Sequence, residues 1–120
     1  MLDYFDIKVI DPRTMTFRDQ VSLYANAELL IGPSGSGLHN MMFPETTTVI
    51  ELFHPEYVTT YNYRLAEAFE HEYRFILGNE TNGDQRRPVK DRCFTVSPST
   101  LKSALEGWVA DSEDRIHDGD

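Results

Sequence analysis

The chain has little cysteine, little positive charge and no long apolar run. One cysteine among 120 residues excludes an internal disulfide framework and a zinc site built from cysteines. Lys and Arg number 11 against 20 Asp and Glu, and the formal net charge of −9 disfavours nucleic acid as a partner because its phosphates would be repelled. No apolar run approaches the roughly 20 residues of a membrane-spanning helix, so we expect no membrane segment. The length suits one domain.

Apolar, β-branched runs alternate along the chain with stretches of helical spacing. The expected strands are DIKVID, ELLIG, TTVIELF, YRFILG and RCFTV. The expected helices span residues 16–27, 37–43, 58–70 and 97–109. Thr16 and Asp19 are placed as a capping box for the first helix. This order predicts an α/β fold over residues 1–110, with a parallel sheet covered by helices on both faces. Residues 79–91 are expected to form a loop, and residues 111–120 an acidic, frayed tail.

Helical spacing also assigns a buried face to three of these helices. The first face holds Phe17, Val21, Tyr24 and Ala25; the second holds Tyr61, Leu65, Ala68 and Phe69; the last holds Leu101, Ala104, Leu105, Trp108 and Val109. We expect these residues to pack on the sheet.

The segment LLIGPSGSGLHNMMF, residues 29–43, breaks from a strand into glycines and then begins a short helix. Such a turn presents unpaired backbone N–H groups, which suit an anion. Gly32, Gly35 and Gly37 let a ligand approach the backbone closely, and the serines between them add hydroxyl donors. The same turn can be purely a packing device, and spacing alone does not decide between the two.

Three common motifs fail to describe this glycine loop. A P-loop needs lysine after its last glycine, and Leu38 stands there. A dinucleotide fingerprint needs a third glycine where Asn40 stands. A serine-hydrolase elbow would make Ser34 the nucleophile, but Ser36 occupies its last glycine position, so a hydrolase is disfavoured.

A longer pattern carries a family resemblance. The stretch FRDQVSLYANAELLIGPSGSGLHNMMFPETTTVIELFHP, followed by YRLAEAFEHEYRFI, resembles the family 61 glycosyltransferases, once catalogued as a domain of unknown function. In that family QV.L...A precedes ADVLIGPHGAGLTNLLFMPPGTVVIELFP. The resemblance covers roughly residues 9–77, and FTVSPSTLKSAL is similar to the family's closing strand and helix. The agreeing positions are Gly32, Pro33, Gly35, Gly37, Leu38, Asn40, Phe43, Pro44, Glu51 and Pro55.

The resemblance implies a two-domain GT-B architecture that transfers a sugar from a nucleotide sugar, with inversion and without a metal or other cofactor. This chain is similar to the Rossmann-like donor-binding half, and a UDP-sugar is the expected donor. A glycan or glycoprotein acceptor would be bound by an N-terminal half, so we expect this chain to be incomplete for catalysis. The alternative is a truncated or catalytically inactive Rossmann-like binding domain. Members can work in the bacterial cytoplasm or in the eukaryotic Golgi or endoplasmic reticulum lumen, so no compartment is predicted.

The same resemblance implies roles for individual residues. Backbone and hydroxyl groups of Gly32, Ser34, Gly35, Ser36, Gly37 and Leu38 would bind the donor diphosphate. His39 would donate a proton in catalysis, Glu51 would accept ribose hydroxyls, and His54 would touch base or sugar. The structural alternatives are a packed histidine at 39 and a buried ion pair at Glu51, because a carboxylate in an apolar strand needs partners. Where the family has histidine, Ser34 keeps a neutral hydrogen bond but cannot become cationic.

Overall fold

A computed structural model describes residues 7–81 and 94–118. The chain forms two compact units. The larger comprises Ile10–Thr95, and the smaller comprises Val96 onward with the residues that precede Ile10. The candidate site lies entirely in the larger unit.

The larger unit contains two sheets with helices between the strands of the main one. Its elements are a 3-10 turn at Pro12–Thr14, α1 (Phe17–Ala25), β1 (Leu29–Pro33), a 3-10 helix (Ser36–Met42), β2 (Thr48–Phe53), α2 (Tyr61–Ala68), β3 (Glu72–Leu77), β4 (Asn79–Glu80) and β5 (Phe94–Thr95). Strands β1, β2 and β3 are parallel and lie in that order, whereas β4 and β5 pair antiparallel. The predicted α/β fold with a parallel sheet is therefore confirmed, and it is compatible with a Rossmann-like architecture.

One face of the parallel sheet carries a hydrophobic cluster of the core, while Ile50 and Ile76 are buried on the other face. Leu30, Val49 and Tyr73 are neighbours across the three strands, because the register pairs Leu30 with Val49 and Val49 with Tyr73. The 3-10 helix and α2 cover this row with Leu38, Met41, Leu65 and Ala66. Alternate residues of a strand share a face, so Glu51 lies on the same side as Val49, towards these helices.

Local signals fix most element boundaries. The hydroxyl of Thr16 accepts a hydrogen bond from the Asp19 amide at 3.1 Å, which confirms the predicted cap of α1. The predicted first strand is wrong, since residues 7–11 form no strand. The expected loop at residues 79–91 begins instead with β4, because Asn79 and Glu80 pair with Thr95 and Phe94. Residues 82–91 of that loop and Cys93 of the RCFTV strand lie outside the described residues.

The predicted buried faces of α1 and α2 are partly wrong. Tyr24 is buried, but Phe17 is 73% exposed. In α2 the buried residues are Asn62 and Ala66, whereas Tyr61 is 63% exposed. The face is rotated by one position because Asn62 finds polar partners beneath the helix, while the Tyr61 ring stays at the surface.

The smaller unit holds α3, which spans Pro98–Asp118. Leu105 is fully buried and Leu101, Ala104, Trp108 and Val109 are half-buried, as the helical spacing predicts. The helix continues to Asp118, through the segment expected to be frayed. None of the helices in the described ranges is long and apolar enough to cross a bilayer.

Candidate functional site

A cleft of about 330 Å³ opens where β1 ends. Ligands of parallel α/β sheets bind at this edge, beyond the carboxyl ends of the strands. The residues that line the cleft are Ser34, Gly35, His39, Tyr57, Thr59, Tyr61 and Asn62. Three of them, Ser34, Gly35 and His39, are among the predicted site residues, and the segment that leads from β2 into α2 supplies the rest.

Gly35 has a backbone conformation in the glycine loop that side chains rarely adopt. Its φ of +152° disfavours side chains, and a Cβ built on it would have nothing within 4 Å, so its surroundings are open. Its carbonyl oxygen accepts a hydrogen bond from Nδ2 of Asn62 at 3.3 Å, which ties the loop to the first turn of α2. The loop is thus held from one side and open on the other.

The amides of the loop divide into engaged and available groups. The Ser34 amide donates to the Leu52 carbonyl at 2.8 Å, and the Leu38 amide donates to the Gly35 carbonyl at 3.4 Å. The amides of Gly35 and Gly37 make no hydrogen bond with any described residue. Two of the predicted backbone donors are therefore available to a ligand in this conformation. The Ser36 side chain is outside the described atoms.

The helix behind the loop is a 3-10 helix of seven residues, where the sequence predicts two ordinary helical turns. Its hydrogen-bond geometry is poorer than that of an α-helix, so any anion held here depends on individual amides more than on a dipole. Leu38 is buried in the core, and a Cβ on Gly32 would come within 3.3 Å of the Leu38 side chain. The packing interpretation therefore applies to Gly32 and to the Leu38 side chain.

Two rings stand together in the cleft wall. His39 is half-buried, and its ring centroid lies 5.2 Å from that of Tyr61 with a 40° tilt. Tyr57 contributes a second, exposed phenol. Sequence reasoning placed Tyr61 in the core and missed Tyr57, Thr59 and Asn62. The available signal was their position, directly after the strand that carries Glu51.

Glu51 is fully buried beneath the cleft and does not line it. Its Oε2 accepts from Asn62 Nδ2 at 2.8 Å, and its Oε1 accepts from the Tyr73 hydroxyl at 2.5 Å. Gly32 stands beside it on β1, where no side chain competes for the space. Both carboxyl oxygens thus have donors within the protein, and Glu51 acts by joining α2 and β3 to β2, the strand that carries it.

Tyr73 gives this cluster a pH dependence. Burial, then the hydrogen bond to Glu51 and its negative charge, raise the pKa of Tyr73 above the usual 10.0. A raised pKa in the folded state means that stability is fully present below about pH 10 and decreases as the pH rises further. We expect urea midpoints of the wild type to fall more steeply between pH 9.5 and 11 than those of Tyr73→Phe. The control Tyr57→Phe, at a ring that is 42% exposed, should keep the wild-type slope; equal slopes for all three proteins would contradict the assignment.

The comparisons with known proteins bear on this loop. Residues 1–50 match the sequence model of a family described as Glycosyltransferase 61. The glycine loop is therefore similar to a segment of that family. The matched residues include α1, β1 and the 3-10 helix and end within β2, so the resemblance inferred from the sequence is confirmed there. The match supports a glycosyltransferase in general. Among curated proteins and solved structures no significant match is found.

His54 and His71 lie outside the residues matched to glycosyltransferase 61, and both are buried with polar contacts inside the protein. His54, predicted to touch base or sugar, is buried and does not line the cleft. Its Nδ1 accepts from the Glu56 amide at 3.0 Å, its Nε2 lies 3.5 Å from Oε1 of Glu80, and its ring meets Phe94 edge-on. It therefore sits where β2 meets the β4–β5 pair, a contact that gives it a packing role.

His71 joins three segments, a role that the sequence analysis missed. Its Nε2 lies 2.7 Å from the Met41 carbonyl at the end of the 3-10 helix, and its Nδ1 accepts from the Thr47 amide at 3.3 Å. One ring nitrogen donates and the other accepts, which is the arrangement of a neutral imidazole. His71 precedes β3, so it fixes the far end of the 3-10 helix to the starts of β2 and β3.

No metal-binding cluster accompanies the cleft in the part of the chain that is described. Across residues 7–81 and 94–118, no three His, Cys, Asp or Glu side chains are grouped to hold an ion.

Proposed function

We propose that this chain is the donor-binding part of an inverting glycosyltransferase of GT-B architecture, which takes a UDP-sugar without a metal ion. One observation carries the proposal: the glycosyltransferase 61 match contains Ser34, Gly35 and His39, and these three residues line one cleft. The family match and the cleft thus coincide at the carboxyl end of β1, where parallel sheets bind ligands.

The available amide of Gly35, which lines the cleft, would bind the donor diphosphate, and the available amide of Gly37, two residues along the loop and outside the lining, would extend the site. Fixed backbone donors stabilise the charge that grows on a nucleotide leaving group, which is the task a metal performs in other enzymes. His39, in the same cleft, would donate a proton to that leaving group. The rings of Tyr57 and Tyr61 offer apolar faces to a base or sugar.

The volume of the cleft limits what it holds. About 330 Å³ is near the lower end of the range for small-molecule sites, roughly 300–1,000 Å³. A donor would fill it, and a glycan or glycoprotein acceptor would be bound elsewhere.

A second candidate is a binding domain without transferase activity. Ser34 lines the cleft where the resembling family pattern has histidine, and its amide is engaged with Leu52. Serine cannot supply a cationic group to the developing phosphate charge. Both candidates bind a nucleotide, and only the first transfers a sugar. With an acceptor-binding half supplied, transfer by the wild type supports the first, and transfer that appears only in Ser34→His supports the second.

Calorimetric titration of UDP, GDP and CDP into the protein and into Gly35→Val tests the proposal. We expect saturable binding of UDP by the wild type and binding weakened at least about tenfold in the variant, because valine at a φ of +152° both strains the loop and covers its amide. Met42→Ala, exposed on the same 3-10 helix and outside the cleft lining, should bind like the wild type. A wild-type protein that melts cooperatively and binds none of the three nucleotides would overturn the proposed function.

A further inference from the structure

We infer that the side-chain oxygen of Asn62 accepts a hydrogen bond from a hydroxyl of the bound nucleotide sugar, at the part of the cleft opposite in polarity to the glycine amides. The inference rests on the proposed function and names a second contact within its site. The sequence assigned the hydroxyl-accepting role to Glu51. We assign it instead to Asn62, which lines the cleft and is hydrogen-bonded to Glu51.

One buried side-chain atom of Asn62 lacks a hydrogen-bond partner. Asn62 is 2% exposed and lies in the first turn of α2, yet it lines the cleft. Its Oδ1 is buried and makes no hydrogen bond with any part of the described chain. Buried side-chain oxygens in folded proteins nearly always have a partner, so an unpartnered one in a cleft wall points to a ligand group.

The orientation of the amide is fixed by its neighbours. Nδ2 donates both to Oε2 of Glu51, at 2.8 Å, and to the carbonyl of Gly35, at 3.3 Å. Rotating the amide by half a turn would put Oδ1 against two other acceptor oxygens at those distances, and two unshared acceptors repel. Because Oε1 of Glu51 already accepts from Tyr73, the carboxyl group is itself held in place. The unpartnered atom is therefore the oxygen.

The chemistry of this oxygen selects its guest. An amide oxygen accepts and cannot donate, so it excludes phosphate oxygens and requires an O–H or N–H group. The glycine amides have the reverse preference. The glycine amides thus suit the charged part of a nucleotide sugar and the Asn62 oxygen suits a hydroxyl-bearing part beside it, and the exposed Tyr61 ring lies one residue from Asn62. Ribose and the transferred sugar both carry hydroxyls, and the two sources are distinguished by deoxy analogues.

The experiment compares analogues that lack single hydroxyls. Calorimetry would measure UDP against 2′-deoxy-UDP and 3′-deoxy-UDP, which report on ribose, and UDP-glucose against its deoxy forms, which report on the sugar. We expect one analogue to bind the wild type roughly tenfold more weakly than its parent, the factor for one neutral hydrogen bond. In Asn62→Ala that difference should shrink to less than about twofold.

A matched variant and a second readout keep the test decisive. Asn26→Ala removes an exposed asparagine of the same unit, whose Nδ2 bonds the Ser22 carbonyl outside the cleft lining, and it should keep the wild-type discrimination. If Asn62→Ala does not melt cooperatively, the side-chain amide resonances of Asn62 in the wild type serve instead. They should shift on addition of UDP or UDP-glucose and shift less with the discriminated analogue.

The experiment distinguishes a failure of the Asn62 role from a failure of the proposed function. A wild type that binds UDP and UDP-glucose but discriminates against none of the analogues overturns the role of Asn62 and leaves the proposed function standing. Retained discrimination in a folded Asn62→Ala has the same meaning. A folded wild type that binds no nucleotide or nucleotide sugar overturns the proposed function and the inference together.

Discussion

Replacing Glu51 by alanine should lower the free energy of unfolding by about 3–5 kcal/mol, the range for a large-to-small change at a fully buried site that also leaves polar partners unpaired. Glu51 has no exposed surface, and it receives the Tyr73 hydroxyl and the Asn62 amide. Alanine would remove both acceptors and leave a void between α2 and β2. Urea denaturation followed by circular dichroism would measure the loss, with an unchanged denaturant slope showing that the compactness of both states is retained.

Glu51→Gln is the matched control, because it preserves volume and one acceptor oxygen. We expect it to cost about 1–2 kcal/mol, as one partner must face an amide nitrogen. An alanine variant within about 0.5 kcal/mol of the wild type, the usual range for surface changes, would show that Glu51 is not a structural anchor. That result would favour instead the expectation that Glu51 accepts hydrogen bonds from ribose hydroxyls.

Met41→Ala and Met42→Ala form a natural pair with opposite surroundings. Met41 has no exposed surface and packs against Leu38, Val49 and Ala66, whereas Met42 is 49% exposed. Truncating the buried methionine should cost about 2–5 kcal/mol because a cavity opens between the 3-10 helix and the sheet. Truncating its neighbour should change the free energy of unfolding by less than about 0.5 kcal/mol.

Thermal and urea unfolding of both variants would measure this difference. Similar costs for the two truncations would contradict the assigned side of the 3-10 helix. If Met41→Ala lies too far below the wild type to be measured at 25 °C, Met41→Leu, which conserves volume and should cost less than about 1.5 kcal/mol, keeps the comparison quantitative.

Strands β1, β2 and β3 and the cap of α1 could be predicted from the sequence because their signals are local. The run ELLIG became β1, TTVIELF became β2, YRFILG became β3, and Thr16 capped α1. The glycine loop could be predicted as well, since its unusual composition directly follows a strand. The resemblance to family 61 rested on the same residues, and the family match confirms it for residues 1–50.

The cleft wall could not be predicted, because its residues depend on partners distant in the chain. The helical spacing of apolar side chains predicted a buried Tyr61 and gave no reason to expect a buried Asn62. That asparagine turns inward because a carboxylate 11 residues earlier accepts its amide. His71 is similar, since its two bonds reach 30 and 24 residues back along the chain. Neither partner is visible in the local sequence.

The two hydrogen bonds at the ends of the 3-10 helix bear on protein engineering. Asn62 holds the Gly35 carbonyl at its start, and His71 holds the Met41 carbonyl at its end. The conformation of the loop therefore depends partly on Asn62 and His71, which lie outside the glycine motif. A chimera that receives residues 29–43 alone would carry the glycines without their two anchors. A transplant that also brings Asn62, Glu51 and His71 would transfer the hydrogen bonds that hold the loop together with its sequence.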